Sequence, residues 1–328
     1  MKILVGVISH AEAWVIPSSF IDQLRRDFPQ HTFVDAWDQE GIRRLIVDVD
    51  VAFVPHVDRA MLASATRLRW IQSPAVGVGS MLFPEMIASP IAITTARGIR
   101  ARAIAEHVLG VTIALARQLH VAVRYQLAHK WAQDELEGRT TSIRTLQGRR
   151  MGIVGLGSIG LEVARLASAF GMQVSAIRRL AELPRPDGVD DVLPPSRLGD
   201  LLGTSDVVVL SAPLTASTRR LIGSREIEQM KPGALLVNVG RGKLVDDDAV
   251  VDALRTGRLG GAALDVFTHE PLDPSSPYWQ LPNVIITPHT SGAIDDYWTP
   301  LIALFSENLR RLERGDPLLN VVDKAAGY

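Results

Sequence analysis

The sequence contains no cysteine among its 328 residues, which excludes disulfides, thiolate metal sites and a cysteine nucleophile. It also has almost no net charge, because 35 basic residues face 36 acidic ones, so nothing indicates a nucleic-acid or anionic-membrane partner. The longest apolar run, Ala103 to Ala116, carries Glu106 and His107 and is shorter than the roughly 20 residues that a membrane-spanning helix needs. The apolar N-terminus, Met1–Ile8, has no small-residue cleavage site and predicts a strand, so we expect a cytoplasmic protein.

The composition of the chain and its alternating strand and helix patterns predict an α/β protein. Hydrophobic residues make up 47% of the chain and charged residues 22%, an ordinary globular composition, and the length favours about two domains. Strand and helix patterns alternate, which predicts parallel sheets. The predicted strands are Lys2–Ile8, His31–Ala36, Val51–Pro55, Leu68–Gln72 and Ile91–Thr95, then Met151–Val154, Gln173–Ile177, Asp206–Leu210, Leu235–Val239, Ala262–Val266 and Val284–Thr287.

Between and after these two series lie helical or polar segments. The pattern predicts one long, buried helix from Arg100 to about Ala128, followed by a polar loop or arm at His129–Arg149. It also predicts a final amphipathic helix at Asp295–Arg314. No flexible linker is visible, so we expect the two domains to be joined by helices.

A glycine-rich turn follows the first strand of the second series. In Met151–Leu161, an apolar strand leads into Gly155-x-Gly157-x-x-Gly160 and then into a helix. Gly155 permits a tight turn, Gly157 lets the backbone approach a pyrophosphate, and Gly160 lets the helix pack close to the strand. The helix N-terminus offers unpaired N–H groups to the anion. This arrangement predicts a dinucleotide site, whereas the glycine pattern alone is often only a turn.

Polar residues follow the other strands of this series, at the sheet edge where ligands of open parallel sheets bind. Taken singly, an arginine between glycines is often a solvated turn residue, and a lone histidine usually makes structural hydrogen bonds. Together, an arginine, a carboxylate and a histidine at one edge favour a catalytic interpretation. The residues that follow these strands are Arg178, Arg179, Pro213, Arg241, Asp265, Glu270 and His289.

The residues that follow the second strand of this series predict which nicotinamide cofactor binds. An NAD site carries an acidic residue there, which accepts hydrogen bonds from the ribose hydroxyls. Here Gln173–Ile177 is followed by Arg178 and Arg179, which can bind a 2′-phosphate, with no acid before Glu182. The sequence therefore predicts that NADP(H) is preferred and NAD(H) is possible, the alternative being that both arginines are merely solvated.

Four sequence runs together resemble the D-2-hydroxyacid dehydrogenase family: Gly155–Gly160, Lys231–Gly242, Leu264–Leu272 and Thr287–Gly292. The resemblance implies two Rossmann-like domains, one flavodoxin-like and one dinucleotide-binding, with parallel sheets and a cleft between them. Residues 1–99 and 291–328 would form a discontinuous substrate-binding domain, and residues 100–290 the dinucleotide-binding domain. Homodimers are usual in the family.

The resemblance also implies roles for single residues. Arg241 would bind the substrate carboxylate, His289 would donate the proton to the keto oxygen, and Glu270 would fix the histidine tautomer. Asp265 would orient the nicotinamide carboxamide, and the backbone at Val76 and Gly77 would hold the substrate carboxylate. No metal ligand is implied. The expected cofactor-binding residues are Gly155, Gly157, Ser158, Ile159, Gly160, Arg178, Arg179, Pro213, Val239, Gly240 and Asp265.

The function implied is an oxidoreductase that transfers hydride between NADP(H) and a small 2-keto acid or D-2-hydroxy acid, with glyoxylate or hydroxypyruvate as the expected substrate. Phosphoglycerate, formate and phosphite dehydrogenases share the scaffold and remain alternatives. So does a nicotinamide-sensing, corepressor-like binding protein. One departure from the family pattern is Gly79, where an aspartate is common.

Overall fold

The computed structural model describes residues 1–8, 14–137 and 143–327. The chain divides into two compact units, Met1–Ile99 with Asp295–Tyr328, and Arg100–Ile294. The second boundary lies at Ile294, compared with the expected boundary at residue 290. Both units contain a parallel sheet flanked by helices, so the α/β class with two Rossmann-like domains is confirmed.

The first unit is built on a five-stranded sheet of order β2-β1-β3-β4-β5, in which every pairing is parallel. The strand Lys2–Val5, which is paired on both sides, is fully buried at Ile3, Leu4 and Val5, as expected where helices cover both faces of the sheet. The strands are β1 Lys2–Val5, β2 Thr32–Asp35, β3 Val51–Phe53, β4 Trp70–Gln72 and β5 Ala92–Thr94, and the helices are α1 Ser18–Asp27, α2 Gln39–Leu45, α3 Arg59–Ser64 and α4 Pro84–Ala88.

The second unit contains a seven-stranded sheet of order β12-β11-β10-β9-β6-β7-β8. Its strands are β6 Arg150–Val154, β7 Gln173–Ile177, β8 Asp191–Leu193, β9 Val207–Leu210, β10 Ala234–Asn238, β11 Leu259–Leu264 and β12 Val284–Ile286. Its helices are α5 Ala101–Ala116, α6 Leu119–Leu127, α7 Gln133–Glu137, α8 Ser158–Ala169, α9 Leu198–Thr204, α10 Ser224–Gln229 and α11 Asp247–Arg255. The strand order reverses between β6 and β9, the place where an open α/β sheet binds its ligand.

The chain then returns to the first unit through α12, Trp298–Arg314. The apolar face of this helix buries Leu301, Phe305 and Leu309. The Phe305 ring stacks on Phe53 and Trp70, with ring centroids 4.9 and 5.1 Å apart. This packing attaches the C-terminal segment to the core of the first sheet.

The structure differs from the sequence predictions in two places. The predicted single helix from Arg100 to Ala128 was wrong: α5 and α6 are separate, because Gln118 adopts a left-handed backbone conformation with φ 58°. Strand β8 was not predicted, because its apolar residues Val192 and Leu193 stand between two aspartates and two prolines, residue types that are typical of turns. Of the expected polar arm 129–149, the described part contains α7, and residues 138–142 lie outside the described residues.

None of the helices in the described ranges combines the length and apolar character that crossing a membrane requires.

Candidate active site

The glycine turn lies between β6 and α8, at the reversal of strand order. Gly155 has φ 102°, and a Cβ built there would lie 2.6 Å from the backbone nitrogen of Ala212. A Cβ at Gly160 would lie 2.3 Å from the Gly155 carbonyl oxygen, so the helix start and the turn need both glycines. At Gly157, by contrast, a Cβ would meet nothing within 4 Å. The open position is therefore the middle glycine, where a pyrophosphate is expected to approach.

The start of α8 is open to an anion. Ser158 and Ile159 form its first turn, and the N-cap residue Gly157 has no side chain to bond the free N–H groups of that turn. Such N–H groups, together with the helix dipole, favour a phosphate. Next to the turn, the Ser211 hydroxyl donates to the Gly155 carbonyl over 2.8 Å, which fixes the loop after β9 that contains the exposed Pro213.

The two arginines after β7 differ in their surroundings. Arg178 donates from Nε to the Leu180 carbonyl over 2.9 Å and from Nη2 to the Leu183 carbonyl, so it shapes the turn that follows it. Its Nη1 group has no acceptor among the described residues. Arg179 is exposed. One guanidinium thus organises the loop and keeps one nitrogen available, a feature that the sequence did not reveal.

The loop after β10 carries Val239, Gly240 and Arg241. Asn238, which is fully buried, accepts from the Gly240 N–H over 3.1 Å and donates to the Arg241 carbonyl over 3.0 Å. Its side chain thereby hydrogen-bonds two successive residues of the turn. Asn238 was missed at the sequence level, where it appeared only as the last residue of an apolar strand.

The loops after β10 and β11 touch at Gly242. A Cβ there would lie 1.8 Å from the Phe267 carbonyl carbon, so only glycine fits. This contact brings the Arg241 loop beside the segment that carries Glu270. Although Arg241 is exposed, desolvation lowers the pKa of its guanidinium, and the charge of Glu270 opposes that shift. The two charges are therefore close enough to interact electrostatically.

Glu270 and His289 form a direct pair. Glu270 Oε2 lies 2.7 Å from His289 Nδ1, while Oε1 accepts from the Phe267 N–H over 2.9 Å. The carboxylate is thus fixed on one side by backbone and orients the imidazole on the other. About half of the His289 side chain, 53%, is exposed, so Nε2 remains accessible.

A buried carboxylate holds the turn that carries His289. Asp265 is 1% exposed, and its Oδ1 accepts from the Thr287 hydroxyl at 2.6 Å, the Thr290 N–H at 2.9 Å and the Ser291 N–H at 3.1 Å. The His289 N–H also donates to the Asp265 carbonyl over 2.9 Å. Asp265 was expected at a cofactor contact. Its observed bonds connect it to the His289 turn, which adopts a left-handed conformation at φ 55°.

The Asp265 network continues to α5. His107 Nε2 lies 3.4 Å from the Thr287 hydroxyl oxygen. Because that hydroxyl donates to Asp265, His107 is the donor in this contact. Burial lowers the pKa of His107, and the charge of Asp265 opposes the shift. The His107 imidazole thus supports the turn through the Thr287 hydroxyl.

In the first unit, the loop after β4 presents unpaired backbone N–H groups. Ser73 is anchored by its N–H to the Thr94 carbonyl over 2.8 Å, and the Ala75 N–H donates to the Ser73 hydroxyl over 3.1 Å. Beyond that point, the N–H groups of Val76 and Gly77 have no acceptor among the described residues, and both residues are exposed. Consecutive free N–H groups of this kind suit a carboxylate.

Residues 109–291 match the family described as "D-isomer specific 2-hydroxyacid dehydrogenase, NAD binding domain". The glyoxylate reductase of Korarchaeum cryptofilum is 33% identical over 307 residues, which cover 90% of this chain and 91% of that protein. This chain belongs to the D-isomer specific 2-hydroxyacid dehydrogenase family. The family membership that the sequence runs predicted is therefore confirmed, and with it an NAD(P)-dependent oxidoreductase.

Two further relatives show the range of the family. The (S)-sulfolactate dehydrogenase of Chromohalobacter salexigens is 35% identical over 272 residues, 83% of this chain and 84% of that protein. The NADPH-dependent glyoxylate/hydroxypyruvate reductase of Sinorhizobium meliloti, solved in complex with NADP and sulfate, superposes with a TM-score of 0.83 at 26% identity. That match covers all of both chains.

Proposed function

We propose that the protein reduces a small 2-keto acid to the corresponding D-2-hydroxy acid with NADP(H). The observation that carries this proposal is the Glu270–His289 pair, whose oxygen and nitrogen lie 2.7 Å apart beside the loop of Arg241. An oriented imidazole next to an always-charged guanidinium suits a reaction in which a keto oxygen gains a proton and a carboxylate needs a charged partner.

Each residue has a distinct role in this proposal. When bound, the reduced nicotinamide supplies the hydride. His289 donates a proton from Nε2 to the keto oxygen, while Glu270 holds Nδ1 and so fixes the ring. Arg241 binds the substrate carboxylate and polarises the keto group. The free N–H groups of Val76 and Gly77 are assigned to the same carboxylate.

The cofactor preference rests on the residues after β7. Neither Arg178 nor Arg179 can accept a hydrogen bond from a ribose hydroxyl, whereas both can bind a 2′-phosphate. The accessible Nη1 of Arg178 supports this assignment, and so does the NADP bound to the Sinorhizobium meliloti reductase. The name of that enzyme also supports glyoxylate or hydroxypyruvate as the substrate.

A homodimer is supported by an exposed apolar stripe. Leu119, Val123 and Leu127 recur every fourth residue on α6 and are 48%, 52% and 75% exposed, and Trp131 beyond the helix is 89% exposed. Contiguous exposed apolar side chains of this size are typical of an interface. We expect the wild type to elute as a dimer under light-scattering detection and Leu127→Glu to weaken the association. A wild-type monomer at micromolar concentration would contradict the assignment.

The reaction is tested by turnover with a substrate panel. Purified protein is mixed with glyoxylate, hydroxypyruvate, formate, phosphite or 3-phosphoglycerate and with each nicotinamide cofactor, and the change in absorbance of the reduced nicotinamide is followed. We expect reduction of a 2-keto acid, with a higher kcat/KM for NADPH than for NADH. Equal or better use of NADH would overturn the cofactor assignment. Cofactor binding without turnover of any substrate would favour a nicotinamide-sensing protein.

A further inference from the structure

We propose that Tyr297 is a positioning residue that holds the loop Ser73–Gly79 in the conformation that binds the substrate carboxylate. The inference rests on the proposed role of Val76 and Gly77 in this loop. Tyr297 lies far away in the sequence, directly before α12, and no pattern in the sequence connects it to the loop.

The phenol of Tyr297 bonds the loop at its base. Its hydroxyl donates to the carbonyl oxygen of Pro74, one of the two residues between the sheet and the exposed tip. On the sheet side, the Gln72 side-chain amide donates to the Ser73 carbonyl over 2.8 Å. On the other side, the Ala75 carbonyl accepts from the Ala96 N–H over 3.2 Å. Three successive carbonyls are thus fixed, and Tyr297 is the donor to the middle one.

The ring of Tyr297 is itself fixed by packing. The residue is 7% exposed, and its ring makes edge contacts with Trp14 and Trp298, with centroids 5.6 and 5.5 Å apart. Aromatic residues are scarce in this chain, at 5% of the sequence, so three adjacent rings behind one loop are a marked concentration. A buried ring confined on two sides leaves its hydroxyl little freedom, and it can therefore act as a rigid support.

This support determines where the free N–H groups point. Rotation of the peptide that carries the Pro74 carbonyl would carry the following residues with it and redirect the N–H groups of Val76 and Gly77. Holding that carbonyl in place pre-organises the loop, so that substrate binding does not have to supply the free energy needed to order it. Loss of the hydroxyl should therefore weaken carboxylate binding, while the hydride and proton steps at Arg241 and His289 are little changed.

The test compares Tyr297→Phe with the matched variant Tyr278→Phe. Tyr278 is equally buried, at 3% exposed, and its hydroxyl donates to Asp247 Oδ1 over 3.0 Å in the other unit. Each variant removes one hydroxyl and keeps the ring. The KM for the keto acid, kcat, the Kd for NADPH and the Tm are measured for both, and the affinity of the NADPH-bound enzyme for oxamate, an unreactive keto acid analogue, is measured by calorimetry.

We expect Tyr297→Phe to raise the keto acid KM and the oxamate Kd about 3- to 10-fold, as the loss of one hydrogen bond predicts, with kcat and the NADPH Kd within twofold. Tyr278→Phe should leave both carboxylate affinities unchanged. Unchanged KM and oxamate Kd in Tyr297→Phe would overturn the inference, and so would an equal loss of carboxylate and cofactor affinity. Because oxamate binding needs no turnover, a wild type that binds oxamate without reducing any keto acid would refute the proposed reaction and still test the loop.

Discussion

Replacing Thr287 by Val tests whether Asp265 holds the catalytic turn. The two side chains have nearly the same shape, but Val lacks the hydroxyl that donates to Asp265 Oδ1 over 2.6 Å. Hydrogen bonds to charged groups contribute about 1.5–3 kcal/mol. In a unit the size of Arg100–Ile294, each kcal/mol corresponds to roughly 2–4 °C in Tm. We therefore expect the Tm to fall by about 3–12 °C.

The same change should slow catalysis, because the turn that carries His289 loses one of its donors to Asp265. A displacement of about 1 Å at a reacting group can reduce the rate roughly 100-fold, so we expect kcat to fall about 10- to 100-fold with the keto acid KM within threefold. Tm by calorimetry and steady-state kinetics provide the two measurements. Thr256→Val is the control, because its exposed hydroxyl bonds only carbonyls of its own helix. If Thr287→Val matched this control in both Tm and kcat, the role given to Asp265 would be refuted.

Three further predictions concern packing, charge and pH. Gly242→Ala should abolish activity or folding, since its Cβ would lie 1.8 Å from the carbonyl carbon of Phe267. Gly110→Ala has open space around the new Cβ and should stabilise the protein by about 0.5–1 kcal/mol, and soluble yield and Tm check both variants. Arg241→Lys should raise the keto acid KM at least about tenfold, because an ammonium cannot form a bidentate pair with a carboxylate, and a KM within twofold would contradict that. Burial is the largest cause that lowers the pKa of His31, His107 and His120 below 6.5 in the folded protein. The unfolded chain therefore binds more protons near pH 6.5, and the free energy of unfolding should decrease as the pH drops from about 7 through 6.5. A Tm that stays constant between about pH 8 and 5.5 would contradict this expectation for His31, His107 and His120.

Local patterns in the sequence were sufficient to predict the glycine turn and every described strand except β8. The positive φ of Gly155 and the close approach of Gly160 to the Gly155 carbonyl oxygen are both local requirements for glycine, so the spacing of the glycines reveals them. The strand Gln173–Ile177 was predicted at its observed bounds, since its apolar residues are flanked by polar ones. Periodicity of this kind is a local property, and it survives in the folded chain.

Contacts between distant segments could not be predicted in the same way. Tyr297 donates to the Pro74 carbonyl across 223 positions of the chain, and that pairing leaves no periodic trace in the sequence. The break at Gln118 was missed because the apolar pattern runs on into α6, while the backbone turns at one residue with φ 58°. The direction of the Arg178 side chain depends on where the following turn places the Leu180 and Leu183 carbonyls, and no residue pattern indicates the conformation of that turn.

The most direct test of the central claim is the rate of NADPH oxidation by glyoxylate and hydroxypyruvate for the wild type and for His289→Ala, together with the Kd for NADPH. A positioned acid–base group contributes roughly 10²–10⁴-fold to the rate. We expect His289→Ala to lower kcat by that factor on the keto acid that the wild type reduces, with the NADPH Kd within threefold. A variant that reduced this keto acid at the wild-type rate would contradict the assignment of His289 as the proton donor.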